Sequence, residues 1–134
     1  MKKKLYLDMD GTIANLYKQE NWLQRLRNED KTIFLECEPM VSQEQLFKIF
    51  PQTEYEIIIL TMTPMNCSKE YHEQVIQQKK EWLEIHFPML NKTIFKKYGH
   101  NKNLKNCGNA ILVDDNEVIR SNFRGLALNP NNLW

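Results

Sequence analysis

Acidic residues gathered at the ends of apolar runs are the groups in this chain best equipped for chemistry. Asp8 and Asp10 follow the short apolar run Leu5-Tyr6-Leu7. Two carboxylates spaced i and i+2 on a strand point to one face, so both lie at the strand's carboxyl end. That is where open α/β sheets bind ligands. Gly11 and Thr12 then turn the chain, and their N–H groups could face an anion. At an effective dielectric of about 20, each like-charge contact at about 4 Å costs about 4 kcal/mol, so a carboxylate pair beside an anion site calls for a cation. Oxygen ligands of this kind suit magnesium.

Asp-Gly is also a strong hairpin signal, and a hairpin needs a second apolar strand. The continuation from Ile13 instead places apolar residues at 13, 16, 17, 22, 23 and 26, a helical spacing that predicts a helix to about Arg27. Two further runs end in reactive types. Ile57-Ile58-Ile59-Leu60 leads into Thr61-Met62-Thr63-Pro64, presenting hydroxyls that can donate to a phosphate oxygen. Ala110-Ile111-Leu112-Val113 leads into a second acidic pair, Asp114-Asp115. A lone Thr or acidic pair is usually a cap or turn residue. Four acids at two strand ends are a stronger signal.

The elements that must position these residues alternate. Strands are expected at Leu5 to Leu7, Ile57 to Leu60, Ala110 to Val113 and Leu126 to Leu128, with Thr93-Ile94-Phe95 as a weaker fifth. Ser68 to Phe87 reads as a long helix whose Tyr71, Val75, Trp82, Leu83 and Phe87 share a face. Such alternation predicts an α/β fold with a parallel sheet, and continuous Ile/Leu strands suit a sheet covered on both faces. The long interval of about 14–52 is expected to hold a small helical cap over the strand ends, or a padded crossover covering one sheet face. No linker or repeat divides residues 1–134, so one domain is expected.

The 18 Lys and Arg against 17 Asp and Glu leave a net charge of +1, which gives no global field for nucleic acid or an anionic membrane. Three widely spaced cysteines, Cys37, Cys67 and Cys107, fit reduced thiols better than disulfides or zinc. The basic start Lys2-Lys3-Lys4 is followed by an apolar stretch broken at Asp8 and Asp10, so no signal peptide is read. No run is long enough to span a bilayer. A soluble, cytoplasmic protein is the expectation. His72, His86 and His100 lack metal-ligand spacing, and Trp22, Trp82 and Trp134 read as packing groups, although Trp22 and Phe34 fall in the possible cap.

In this order, the motifs resemble those of the haloacid dehalogenase superfamily of phosphotransferases. Asp8-Met9-Asp10-Gly11-Thr12 resembles its first motif, Leu60-Thr61 its second and Leu112-Val113-Asp114-Asp115 its fourth. Ile57 to Pro64, Trp82 to Pro88 and Ile111 to Asp115 are most similar to the deoxyribonucleotidase, or cytosolic 5′-nucleotidase type C, branch. The resemblance implies a Rossmann-like core and a magnesium-dependent phosphomonoesterase. Asp8 would be the nucleophile and Asp10 the general acid and base. Thr61, or Thr63 beside it, would bind phosphate, as would the motif-three lysine, Lys102, with Lys105 and Lys79 as alternatives. Magnesium would be held by Asp8, by Asp10 through its backbone carbonyl, and by Asp114 with Asp115 nearby. Related transport ATPases carry Thr where Asp10 stands, so Asp10 favours hydrolysis. The substrate implied is a small phosphomonoester such as a 5′-(deoxy)nucleoside monophosphate. Other expectations are a phosphatase for polynucleotide ends or other small molecules, and a binding module that keeps the fold without catalysis.

Overall fold

Hydrophobic burial organises the chain around one five-stranded sheet. The computed structural model describes residues 1–134. It orders them as β1 (Lys3–Leu7), α1 (Trp22–Arg27), α2 (Gln43–Ile49), β2 (Tyr55–Thr63), α3 (Lys69–His86), β3 (Thr93–Lys97), β4 (Ile111–Val113), α4 (Glu117–Asn122), β5 (Leu126–Leu128) and a closing 3₁₀ turn (Pro130–Asn132). All neighbouring strands pair in parallel, in the order β3-β2-β1-β4-β5. The fold is therefore α/β, Rossmann-like, with helices flanking the sheet. No helix is long and apolar enough to cross a membrane.

Strand alternation divides the core in two. Leu5, Leu7, Ile57, Ile59, Ile111 and Val113 face α3, where Tyr71, Val75, Trp82 and Leu83 are buried against them. Tyr6, Ile58, Leu60 and Leu112 face the opposite way, onto Ile119 and Phe123. Two-sided coverage is why these strands read as continuous Ile/Leu runs instead of alternating with polar residues. Ser68 caps α3 by accepting the Tyr71 N–H at 3.1 Å.

The segment between β1 and β2 differs from its sequence pattern at the start. Residues 11–21 form turns, and only Trp22–Arg27 is helical. The apolar spacing arises here from a folded loop that buries Ile13, Ala14 and Leu16 in the core. Isolated bridges from Ala14 to Asp10 and Pro39 hold that loop, and Asn21, at φ 57°, interrupts any helix before Trp22. Further along, Ile33, Phe34, Val41, Leu46 and Phe50 cover the α3 face of the sheet.

Candidate active site

The sheet's ladder aims the acids. Beyond the end of β1, the Asp8 N–H still donates to Val113 O at 2.9 Å, and the Asp114 N–H donates to Leu128 O at 3.2 Å. The strand order reverses around β1, and the crevice at its carboxyl end, beside β4, is where a sheet of this type accommodates a ligand. Gly11 lets the chain turn past the second acidic pair. Its φ is 81°, and a Cβ there would stand 2.3 Å from Asp115 Oδ2. The expectation that Gly11 and Thr12 offer N–H groups to an anion is corrected. The Gly11 N–H donates to Ala14 O at 2.8 Å, and the N–H groups of Thr12, Ile13 and Ala14 converge on Met9 O, so both donors are used in closing the turn. Thr12 contributes through its side chain, which was not singled out from sequence: its hydroxyl donates to Asp8 Oδ2 at 2.8 Å and accepts the Asp115 N–H at 3.2 Å.

Lys102 completes the pair from the opposite side. Its Nζ lies 2.6 Å from Asp8 Oδ1 and 2.8 Å from Asp114 Oδ2, and only 1% of the residue is exposed. No helix carries Lys102; residues 101–104 have no regular structure. Side chains stiffen this loop instead. Lys96 Nζ donates to the carbonyls of Asn101 and Asn103 at 3.0 and 2.8 Å, while the Asn103 side chain donates to Asn122 O and accepts the Arg124 N–H. Lys105 is exposed and makes no such contact. Burial works against the Lys102 charge, but the carboxylates of Asp8 and Asp114 outweigh it and raise its pKa above the ordinary lysine value.

One lysine does not neutralise this cluster. Asp8, Asp114 and Asp115 each offer an oxygen, all within 4.8 Å of one another. Burial first, and then the Asp8 charge, push the Asp115 carboxyl up to about 8 and raise that of Asp114 despite Lys102. Oxygens around an octahedral Mg²⁺ stand about 2.9–4.2 Å apart, and a divalent cation would offset the excess negative charge. The residues therefore fit a magnesium ion, with Asp8, Asp114 and Asp115 as carboxylate ligands. The Asp10 side chain stands outside this set, because its Oδ2 is 2.8 Å from Lys79 Nζ.

Lys79 reaches the site from α3, on the other sheet face. It also donates to Thr61 Oγ1 and Met62 O, each at 2.8 Å. Asp10 Oδ1 is buried with no hydrogen-bond partner. Thr61 is fully buried and makes no other side-chain hydrogen bond, which leaves its hydroxyl proton unused. Thr63 faces the cavity, but its hydroxyl donates to Lys96 O at 3.4 Å. A sequence signal for Lys79 existed: it sits at four-residue spacing with Tyr71 and Val75, a charge within an apolar helical stripe.

Asp10, Thr63 and Lys79, but not Thr61, line a cavity of about 850 Å³. Tyr17, Trp22, Leu26 and Phe34 from the segment between β1 and β2 share its wall with Asp8, Asp10, Lys79 and Lys102. Of the three histidines, His100 borders the cavity, while His72 and His86 lie on α3. Trp82 is fully buried, its indole N–H donating to Cys37 O at 2.7 Å. No known protein-family model matches the chain, and no curated protein is significantly similar to it.

Proposed function

We propose that the protein is a magnesium-dependent phosphomonoesterase that works through a phosphoryl group held transiently on Asp8. The observation carrying this reading is the buried Asp8–Lys102–Asp114 cluster at a strand end, with Asp10 close by and one oxygen free. An uncompensated acidic cluster against a cavity is costly as a purely structural device. It suits a site that takes up a cation and an anion together.

An Asp8 carboxylate oxygen would attack phosphorus as the bond to the leaving oxygen breaks, giving an aspartyl phosphate. Asp10 would hand its proton to the departing alkoxide, then take one from the water that attacks the same phosphorus and frees inorganic phosphate and Asp8. The Thr12 hydroxyl on Asp8 Oδ2 holds the nucleophile's orientation. Lys102 uses two of its three ammonium protons on Asp8 and Asp114, and the third is available to a phosphoryl oxygen. Bound magnesium would cancel charge on the phosphoryl oxygens and the carboxylates.

The cavity and the motif resemblance support a reading of the substrate class. Its aromatic and aliphatic wall suits a phosphomonoester with a sizeable organic portion, and a 5′-nucleoside monophosphate is the class we propose. Phosphate release from a nucleotide panel, with magnesium, tests this; strong preference for sugar phosphates would refute the nucleotide assignment. Asp8→Asn is expected to abolish turnover of 4-nitrophenyl phosphate while the melting transition persists. Undiminished turnover by that variant would overturn the nucleophile.

A further inference from the structure

We propose that Lys79 is a positioning residue, which locks Asp10 and Thr61 into one arrangement and does not itself receive the phosphoryl group. The inference rests on the phosphatase reading and concerns how its acid and base is held.

The donor count separates the two buried lysines. An ammonium has three protons. Lys79 places all of them, on Asp10 Oδ2, Thr61 Oγ1 and Met62 O, each at 2.8 Å. Lys102 places two and keeps one. A phosphoryl oxygen could engage Lys79 only by displacing a contact that holds the site together.

What Lys79 grips is equally specific. It takes one oxygen of Asp10 and leaves the other, Oδ1, buried and without a partner. A carboxyl held at one oxygen cannot rotate freely, so the free oxygen keeps a fixed direction for the leaving-group oxygen and the later water. At Thr61 the lysine occupies the acceptor side of the hydroxyl and directs its proton elsewhere.

Lys79 is itself held. Its Nζ sits 4.9 Å from the centroid of the Phe34 ring. The preceding residue, Gln78, accepts the Phe34 N–H at 3.0 Å, and Trp82, on the same helix, donates to Cys37 O. Asp10 therefore connects through one ammonium to a helix fastened to the segment between β1 and β2, which forms part of the cavity wall.

The test compares the parent with Lys79→Met at saturating magnesium on two substrates, an alkyl phosphate and 4-nitrophenyl phosphate. A poor alkoxide leaving group needs the proton from Asp10; nitrophenolate needs it far less. Lys79→Met is expected to lower kcat/KM about 100-fold or more for the alkyl ester and much less for the aryl ester. Binding of inorganic phosphate, measured by calorimetry, is expected to stay unchanged. Lys79→Arg, which keeps charge and donors, is expected to recover part of the alkyl-ester loss. Equal loss on both esters overturns the inference, as does weakened phosphate binding or no loss at all. If Lys79→Met does not fold, Lys79→Gln carries the same expectations. A parent that turns over neither ester, nor any nucleotide, refutes the phosphatase reading and this inference with it. An active parent with an indifferent variant refutes this inference alone.

Discussion

At the residue scale, the cluster of Asp8, Asp114 and Asp115 balances repulsion against one buried cation, Lys102. Lys102 touches two of the three clustered carboxylates, and its removal would leave Asp8 and Asp114 buried and unpaired. Breaking one side of such an arrangement costs about 3–5 kcal/mol. Lys102→Met is therefore expected to lower metal-free stability by about that much, read from the denaturant midpoint, with added magnesium restoring part of it. A second residue-scale prediction concerns Gly11. A methyl group there would enter the space of Asp115 Oδ2, at a backbone angle that residues with a side chain adopt at a cost. Gly11→Ala is expected to destabilise by about 1–3 kcal/mol and to impair turnover by shifting the turn between Asp10 and Asp115. Unchanged melting would show that the turn relaxes freely.

At the element scale, α3 is the spine to which the segment between β1 and β2 is fastened. Gln78 accepts the Phe34 N–H, Ser68 donates to Glu29 through its N–H and hydroxyl, and Trp82 donates to Cys37 O. Gln78→Met keeps the volume but strands a buried N–H, so a loss of about 1–3 kcal/mol in chemical denaturation is expected. Arg25 and Asp30 brace the same segment at 2.7 Å, and the Arg25 hydrogen bond holds the Asp30 carboxyl down to about 2. Because the folded value lies below the ordinary 3.8, this stabilisation is present above that pH and is lost as pH falls toward 2. With a quarter of each side chain exposed, solvent screening reduces the effect to about 1 kcal/mol. Asp30→Asn is expected to lower the denaturant midpoint at neutral pH, with the gap to the parent narrowing below about pH 4. A gap constant with pH would remove the ion pair as its cause. The strands and α3 were legible because their burial is continuous and their periods are simple. The 11–21 loop was not, because a folded turn that buries Ile13 and Leu16 copies helical spacing without a continuous helical hydrogen-bond ladder. The acids were legible by position. Thr12's grip on Asp8 and the use of the Gly11 N–H within its own turn depend on contacts that spacing does not encode.

At the scale of the whole molecule, the strand order explains why one site can gather charges from both layers. β1 is central, with β2 on one side and β4 on the other. Lys79 comes from the helix on one sheet face, and Lys102 from the loop between β3 and β4, beside the other core. The carboxylates of β1 and β4 meet between them, still in excess of the positive charge, and burial together with the Asp8 charge holds the Asp115 carboxyl above its ordinary value. A ligand that binds only the folded chain stabilises it by mass action, about 2.7 kcal/mol at 100 times its dissociation constant. Magnesium is accordingly expected to raise the melting temperature by several degrees, saturably, whereas sodium chloride of equal ionic strength is not. Asp114→Asn removes one ligand and one partner of Lys102, so its melting should respond to magnesium weakly or not at all. A parent whose melting ignores magnesium would remove the metal from the site, and an Asp114→Asn variant that responds like the parent would place the ion away from the β1 and β4 strand ends.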